Sequence, residues 1–177
     1  MKQLIIVLDS SVSQKTKGSK LGPASCLWAA FIYEPTSDKH PLSKEIEEKD
    51  RFRSSILLEG TNPESMRSGA IYNNHDSPTR IFYDGIIRAM ESCFYLLKMH
   101  AVNEVVVIGD SEIVIEQLNN RRKVVTMGPM YNQVKKFETA EYSKVPVRYE
   151  YVSENDYSLY KKLDGMCKQV RGILEKI

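Results

Sequence analysis

The sequence predicts a single α/β domain, and three observations carry that prediction. Apolar runs of strand length close on a carboxylate at two places, "LIIVLD" and "VVVIGD". Apolar stripes at helical spacing occupy the second half of the chain. The 177 residues, 42% hydrophobic and 27% charged, suffice for one buried core. The expected order is β-β-β-α-β-α-α-β-α, in one domain over residues 1–177 without internal repeat or low-complexity tract.

The first strand is "LIIVLD" (4–9), apolar throughout as a strand covered on both faces is. The second is "SCLWAAFIY" (25–33), after the turn signal Gly22-Pro23. The polar, lysine-bearing stretch between them makes a hairpin with a long tip. Residues 34–70 read as a charged insertion: 36–53 is a solvated excursion with room for one helical turn, and "SSILLEG" (54–60) supplies a third strand.

Ser77 as N-cap and Pro78 at the first helical position open the first helix, because proline lacks the N–H that would be unpaired there. Phe82, Ile86, Ala89, Met90, Cys93, Leu96 and Leu97 form its apolar stripe. "NEVVVIGD" is the fourth strand, followed by a helix in "SEIVIEQLNN" with Ile113, Val114, Gln117 and Leu118 on one face. Gly128-Pro129 opens a helix to about residue 141, "VPVRYEYV" (145–152) alternates as a strand, and Leu159, Leu163, Met166, Val170 and Ile173 line a terminal helix.

A formal charge of +2 excludes a global electrostatic field for nucleic acid, so such contacts must come from local basic clusters. Cys26, Cys93 and Cys167 are odd in number and widely spaced, which argues against a disulfide framework or a zinc site and for a reducing compartment, cytoplasmic or otherwise intracellular. The amino terminus is too short in apolar residues for a signal peptide, and "CLWAAFIY" is the longest apolar run, so a soluble protein without a membrane partner is expected. His40, His75 and His100 show no ligand spacing and receive no role.

Strand ends are rigid and are where ligands bind in such sheets. If the strands ending in Asp9 and Asp110 are neighbours, their carboxylates lie about 5 Å apart and repel by roughly 3 kcal/mol at an effective dielectric near 20. A divalent cation offsets that repulsion, and hard oxygen ligands favour Mg²⁺ or Mn²⁺. The alternative is that each aspartate is a turn former or helix cap.

"LDSS", "GPASCLWAAFI", "SPTR" with "FYDGIIRAMES", and above all "VIGDSEIVIEQLNNRRKV" resemble the ribonuclease H family over most of the chain outside roughly 34–70. The resemblance implies a ribonuclease H-like mixed five-stranded sheet flanked by helices. It also implies four carboxylates holding two Mg²⁺ ions against the RNA strand of an RNA–DNA hybrid, since two-metal chemistry clamps the attacking and leaving oxygens. Asp9 and Asp110 match two of the four acids. At the family's helix glutamate stands Phe82, which reads as a core residue; Asp84 and Glu91 lie about 200° and 180° away around the helix and cannot replace it. For the fourth acid, a gapless match gives Lys161 and a longer loop gives Asp164; Asp164 is preferred because loop length varies more easily than chemistry. The histidine expected in the preceding loop is missing.

In the family, the regions equivalent to Lys15, Lys17 and Lys20, to Arg121, Arg122 and Lys123, and to Lys135 and Lys136 face the nucleic-acid backbone. The expectation is therefore a nucleic-acid-binding protein, for hybrid or RNA, with catalytic and metal ligands Asp9, Asp110 and Asp164 and weak or no hydrolysis. The alternatives are an active Mg²⁺- or Mn²⁺-dependent endoribonuclease and a pseudoenzyme serving as a protein-interaction module. The tyrosines Tyr149, Tyr151, Tyr157 and Tyr160 are assigned to packing.

Overall fold

The computed structural model describes residues 1–12, 22–35, 40–43, 66–75 and 78–175. Strands β1 (Gln3–Val12), β2 (Gly22–Tyr33), β3 (Met66–His75), β4 (Glu104–Gly109) and β5 (Val147–Tyr151) alternate with helices α1 (Pro78–Met99), α2 (Glu112–Leu118), α3 (Gly128–Thr139) and α4 (Ser158–Glu175) in the expected order. The five strands form one sheet in the order β3-β2-β1-β4-β5. The hairpin strands pair antiparallel, whereas β1 with β4 and β4 with β5 pair parallel.

The central strands are apolar throughout because both faces are covered. Leu4, Ile6, Leu8, Val105 and Val107 enter a core under α1, α2 and α3; Ile5, Val7, Val106 and Ile108 enter a second core under α4. Helix α1 packs across β1, β2 and β3 with Phe82, Ile86, Ala89, Met90, Cys93 and Leu96 buried. It ends with Ala101 in the left-handed region (φ 50°), where Val102 N–H closes back on Leu97 O at 3.2 Å. No described helix is long and apolar enough to cross a membrane.

Three expectations need correction. The strand that pairs with β2 is Met66–His75, and residues 54–60 lie outside the described residues, as does the Ser77 cap. As an edge strand, "MRSGAIYNNH" is held by its ladder to β2 and needs no long apolar run. On α2 the buried residues are Val114, Ile115, Gln117 and Leu118, and Ile113 faces solvent. The excursion is not wholly solvated: Leu42 is fully buried in the α4-side core. Beside it, His40 stacks on Tyr157 at 4.3 Å and bonds Glu150 at 2.6 Å.

Candidate active site

Strand register brings the two acids together, although β1 does not end at Asp9 as expected but continues to Val12 in its ladder with β2. β1 and β4 pair with Val7 opposite Ile108, and the same offset carried two residues further sets Asp9 opposite Asp110, across a spacing of about 4.8 Å between strands. Side chains alternate between faces, so Ile5, Val7 and Asp9 on β1 point toward α4, as do Val106 and Ile108 on β4 with Asp110 in the same phase. Helix α4 supplies the third acid: Asp164 lies close enough for its carboxyl to help raise the Asp9 pKa. Lys161 is exposed one turn earlier.

Asp9 is 1% exposed. Burial drives its pKa far upward, and the charges and hydrogen bonds of Asp110 and Asp164 push in the same direction. Burial also raises Asp110, partly offset by its polar contacts. Asp9 Oδ2 is buried without a hydrogen-bond donor. Carboxylates only accept hydrogen bonds, so three acids in this contact require a shared proton or a cation. Lys168 supplies one positive charge at the rim, with Nζ 2.7 Å from Asp164 Oδ2.

Two further side chains, to which the sequence assigns no site role, complete the setting. Tyr160 Oη accepts the Asp110 N–H (2.9 Å), donates to Leu8 O (2.6 Å) and lies 3.4 Å from Asp9 Oδ1. Cys167 Sγ lies 3.4 Å from Asp9 O, and Ser25 Oγ donates to Cys167 O at 2.9 Å. Tyr160, Asp164 and Cys167 stand three to four residues apart on one face of α4, a spacing visible in the sequence. What the spacing does not reveal is that this face rests on the acidic strand ends.

Phe82 approaches from the opposite face of the sheet. It is fully buried, and its ring abuts Gly109, where a Cβ would lie 2.2 Å from Cζ. An apolar ring thus occupies the α1 side of the strand end. Glu91 sits on the outer face, 3.5 Å from Arg88.

The basic candidates separate into groups. Arg121, Arg122 and Lys123 are exposed after α2, with Arg122 Nε 2.6 Å from Glu116. Lys136 is exposed on α3. Lys135 is engaged internally: its Nζ donates to Leu118 O at 2.6 Å and Glu138 at 3.2 Å and lies over the rings of Tyr131 and Tyr149. These contacts set Lys135 apart from the exposed basic residues. Lys15, Lys17 and Lys20 lie outside the described residues. Among the described residues, no group of three or more His, Cys, Asp or Glu side chains is arranged to hold a metal ion as it stands.

A mixed five-stranded sheet in this order, with helices on both faces, is the ribonuclease H-like fold. Solved structures agree. The N-terminal RNase H domain of Rv2228c from Mycobacterium tuberculosis, a fusion with maltose-binding protein, is 16% identical with a TM-score of 0.59, covering 98% of this chain and 99% of that one. LC11-RNase H1, isolated from compost by a metagenomic approach, is 14% identical with a TM-score of 0.60 over 96% and 98% of the two chains. The same enzyme in complex with an RNA/DNA hybrid is 15% identical with a TM-score of 0.56 over 90% and 92%. No protein-family model matches the chain, and neither does any curated protein sequence. At these identities the likeness is one of fold.

Proposed function

We propose that the protein binds RNA–DNA hybrid or RNA on the face that carries Asp9 and Asp110, takes up a divalent cation there, and hydrolyses the nucleic acid weakly or not at all. The observation behind this reading is the pairing of two strand-end carboxyls around a buried, donorless Asp9 Oδ2. That oxygen, with Asp110 and Asp164, offers the hard donor set that Mg²⁺ or Mn²⁺ prefers.

The residues fit one cation better than two. Asp9 and Asp110 would hold it with Asp164 beside them, while the side where a further carboxylate would stand carries the Phe82 ring. When bound, the cation supplies charge neutralisation and Lewis-acid polarisation of a phosphate. The chain's own residues do the rest. Tyr160 ties β1 to β4, and Lys168 pairs with Asp164 at the rim. Arg121, Arg122 and Lys123 follow α2, a helix only about 10 Å long that starts two residues after Asp110, and engage backbone phosphates without reading sequence. The enclosing fold is shared with LC11-RNase H1, whose complex holds an RNA/DNA hybrid.

A labelled RNA–DNA hybrid incubated with Mg²⁺ or Mn²⁺ tests this. The expected result is salt-sensitive binding with little cut strand, binding that survives Asp110→Asn. Efficient cleavage abolished by Asp110→Asn establishes a nuclease instead, which the convergence of three acids would favour. Absence of hybrid and RNA binding at low salt removes the nucleic-acid reading and leaves a protein-interaction module.

A further inference from the structure

We propose that Tyr160 is a positioning residue for the carboxylate pair, its hydroxyl locking β1 and β4 together where their ladder stops, at the separation from which Asp9 and Asp110 address one cation. The proposal rests on the cation reading above and adds to it the device that sets the geometry. The β1–β4 ladder runs to Val7 and Ile108, and β4 ends at Gly109. Both acids therefore sit just past the last paired step, where no ladder fixes their distance.

The Tyr160 hydroxyl occupies that step. It accepts the Asp110 N–H at 2.9 Å and donates to Leu8 O at 2.6 Å, so one oxygen ties the backbone of one acid to the residue before the other. A hydroxyl has one proton: the 2.6 Å bond to Leu8 O takes it, with Asp9 Oδ1 at 3.4 Å as the longer, weaker second acceptor. Tyr160 therefore acts on the acids chiefly through the backbone it ties together. Phenylalanine would fill the same buried volume; the oxygen is what joins the strands.

Helix α4 delivers the hydroxyl and the third acid together. Tyr160 and Asp164 are one turn apart, and Cys167 sits a further turn on, against Asp9 O and Ser25. A shift of α4 would therefore move Asp164 and release the strand-end tie in the same motion.

Titration of Mn²⁺ into the full chain by calorimetry tests the assignment, comparing wild type with Tyr160→Phe and Tyr142→Phe. Tyr142 is the control because its hydroxyl is equally buried and donates to a backbone carbonyl, Met90 O at 2.8 Å, in the other core. Both variants lose stability, but Tyr160→Phe alone weakens Mn²⁺ binding by about tenfold or more. Wild-type affinity retained in Tyr160→Phe within about twofold, or an equal loss in Tyr142→Phe, overturns the proposal while leaving the cation site standing. Wild type without Mn²⁺ binding overturns both. If Tyr160→Phe does not fold, amide exchange in wild type decides: Asp110 N–H is protected like those of Val106 and Val107, and exchange at the rate of an exposed loop overturns the tie.

Discussion

The ring of Phe82 abuts Gly109 so closely that a Cβ at residue 109 would lie 2.2 Å from Cζ. Glycine one residue before Asp110 is therefore a packing requirement of the aromatic on α1. Gly109→Ala must displace a fully buried ring and is expected to cost about 2 kcal/mol in urea unfolding. Phe82→Leu in the same chain relieves part of that cost, so the two changes are less than additive. Full additivity would mean that the ring and the strand end are not in contact.

Asp9→Asn is expected to stabilise the protein in chelator. Burial and its acidic neighbours raise the Asp9 pKa, so the folded state holds a proton that the unfolded chain releases above about pH 4. Stability from this group is complete below that pH and declines as pH rises. The substitution removes the decline, a gain of about 2 kcal/mol near neutral pH by the cost of a buried, poorly paired polar group. Unfolding in chelator across pH 5 to 9, flat for wild type, would contradict it.

How far the sequence could be read is instructive at this pair. Asp9 and Asp110 are legible because each closes an apolar run, a local signal, whereas their adjacency is only a condition until the sheet order is seen. β3 was misplaced because an edge strand bonded on one side carries little apolar patterning. Tyr160 was legible only as one tyrosine among ten, since its role depends on Leu8 and Asp110, far away in the chain. The same holds for His40 and Leu42, whose burial and bonding depend on residues elsewhere in the chain, Glu150 for His40 and the α4-side core for Leu42.

Leu42→Ala is expected to cost about 3 kcal/mol, a core-sized loss from a segment that reads as surface. A change below about 0.5 kcal/mol in urea unfolding would place Leu42 at the surface.

His40 makes a separate pH prediction. Its Nδ1 accepts the Leu42 amide at 3.1 Å, so the proton on Nε2 points at Glu150. That bond, with the Arg148 charge, holds the Glu150 pKa below its usual value against the effect of burial. The contribution is present above about pH 4.3 and is lost as pH falls through the lowered folded value. His40→Ala should cost about 1 kcal/mol near neutral pH and flatten the fall in stability at acid pH. An unchanged acid limb in thermal unfolding would show that Glu150 does not depend on His40.

The basic residues should divide by role. Replacing Arg121 and Lys123 with alanine is expected to weaken hybrid binding and reduce its salt slope by about 1 to 2, with little effect on stability. Lys135→Ala should instead cost about 1 to 2 kcal/mol of stability through the lost Leu118 bond and its place over two tyrosine rings. A salt slope that responds only to Lys135 would reverse the assignment.

The most direct test follows the side-chain carboxyl carbons of Asp9 and Asp110 by NMR while Mg²⁺ is titrated into the protein. If the two acids share one cation, both resonances move along a single saturating curve and return on chelation. Resonances that stay in place, or that respond independently of one another, would contradict the account.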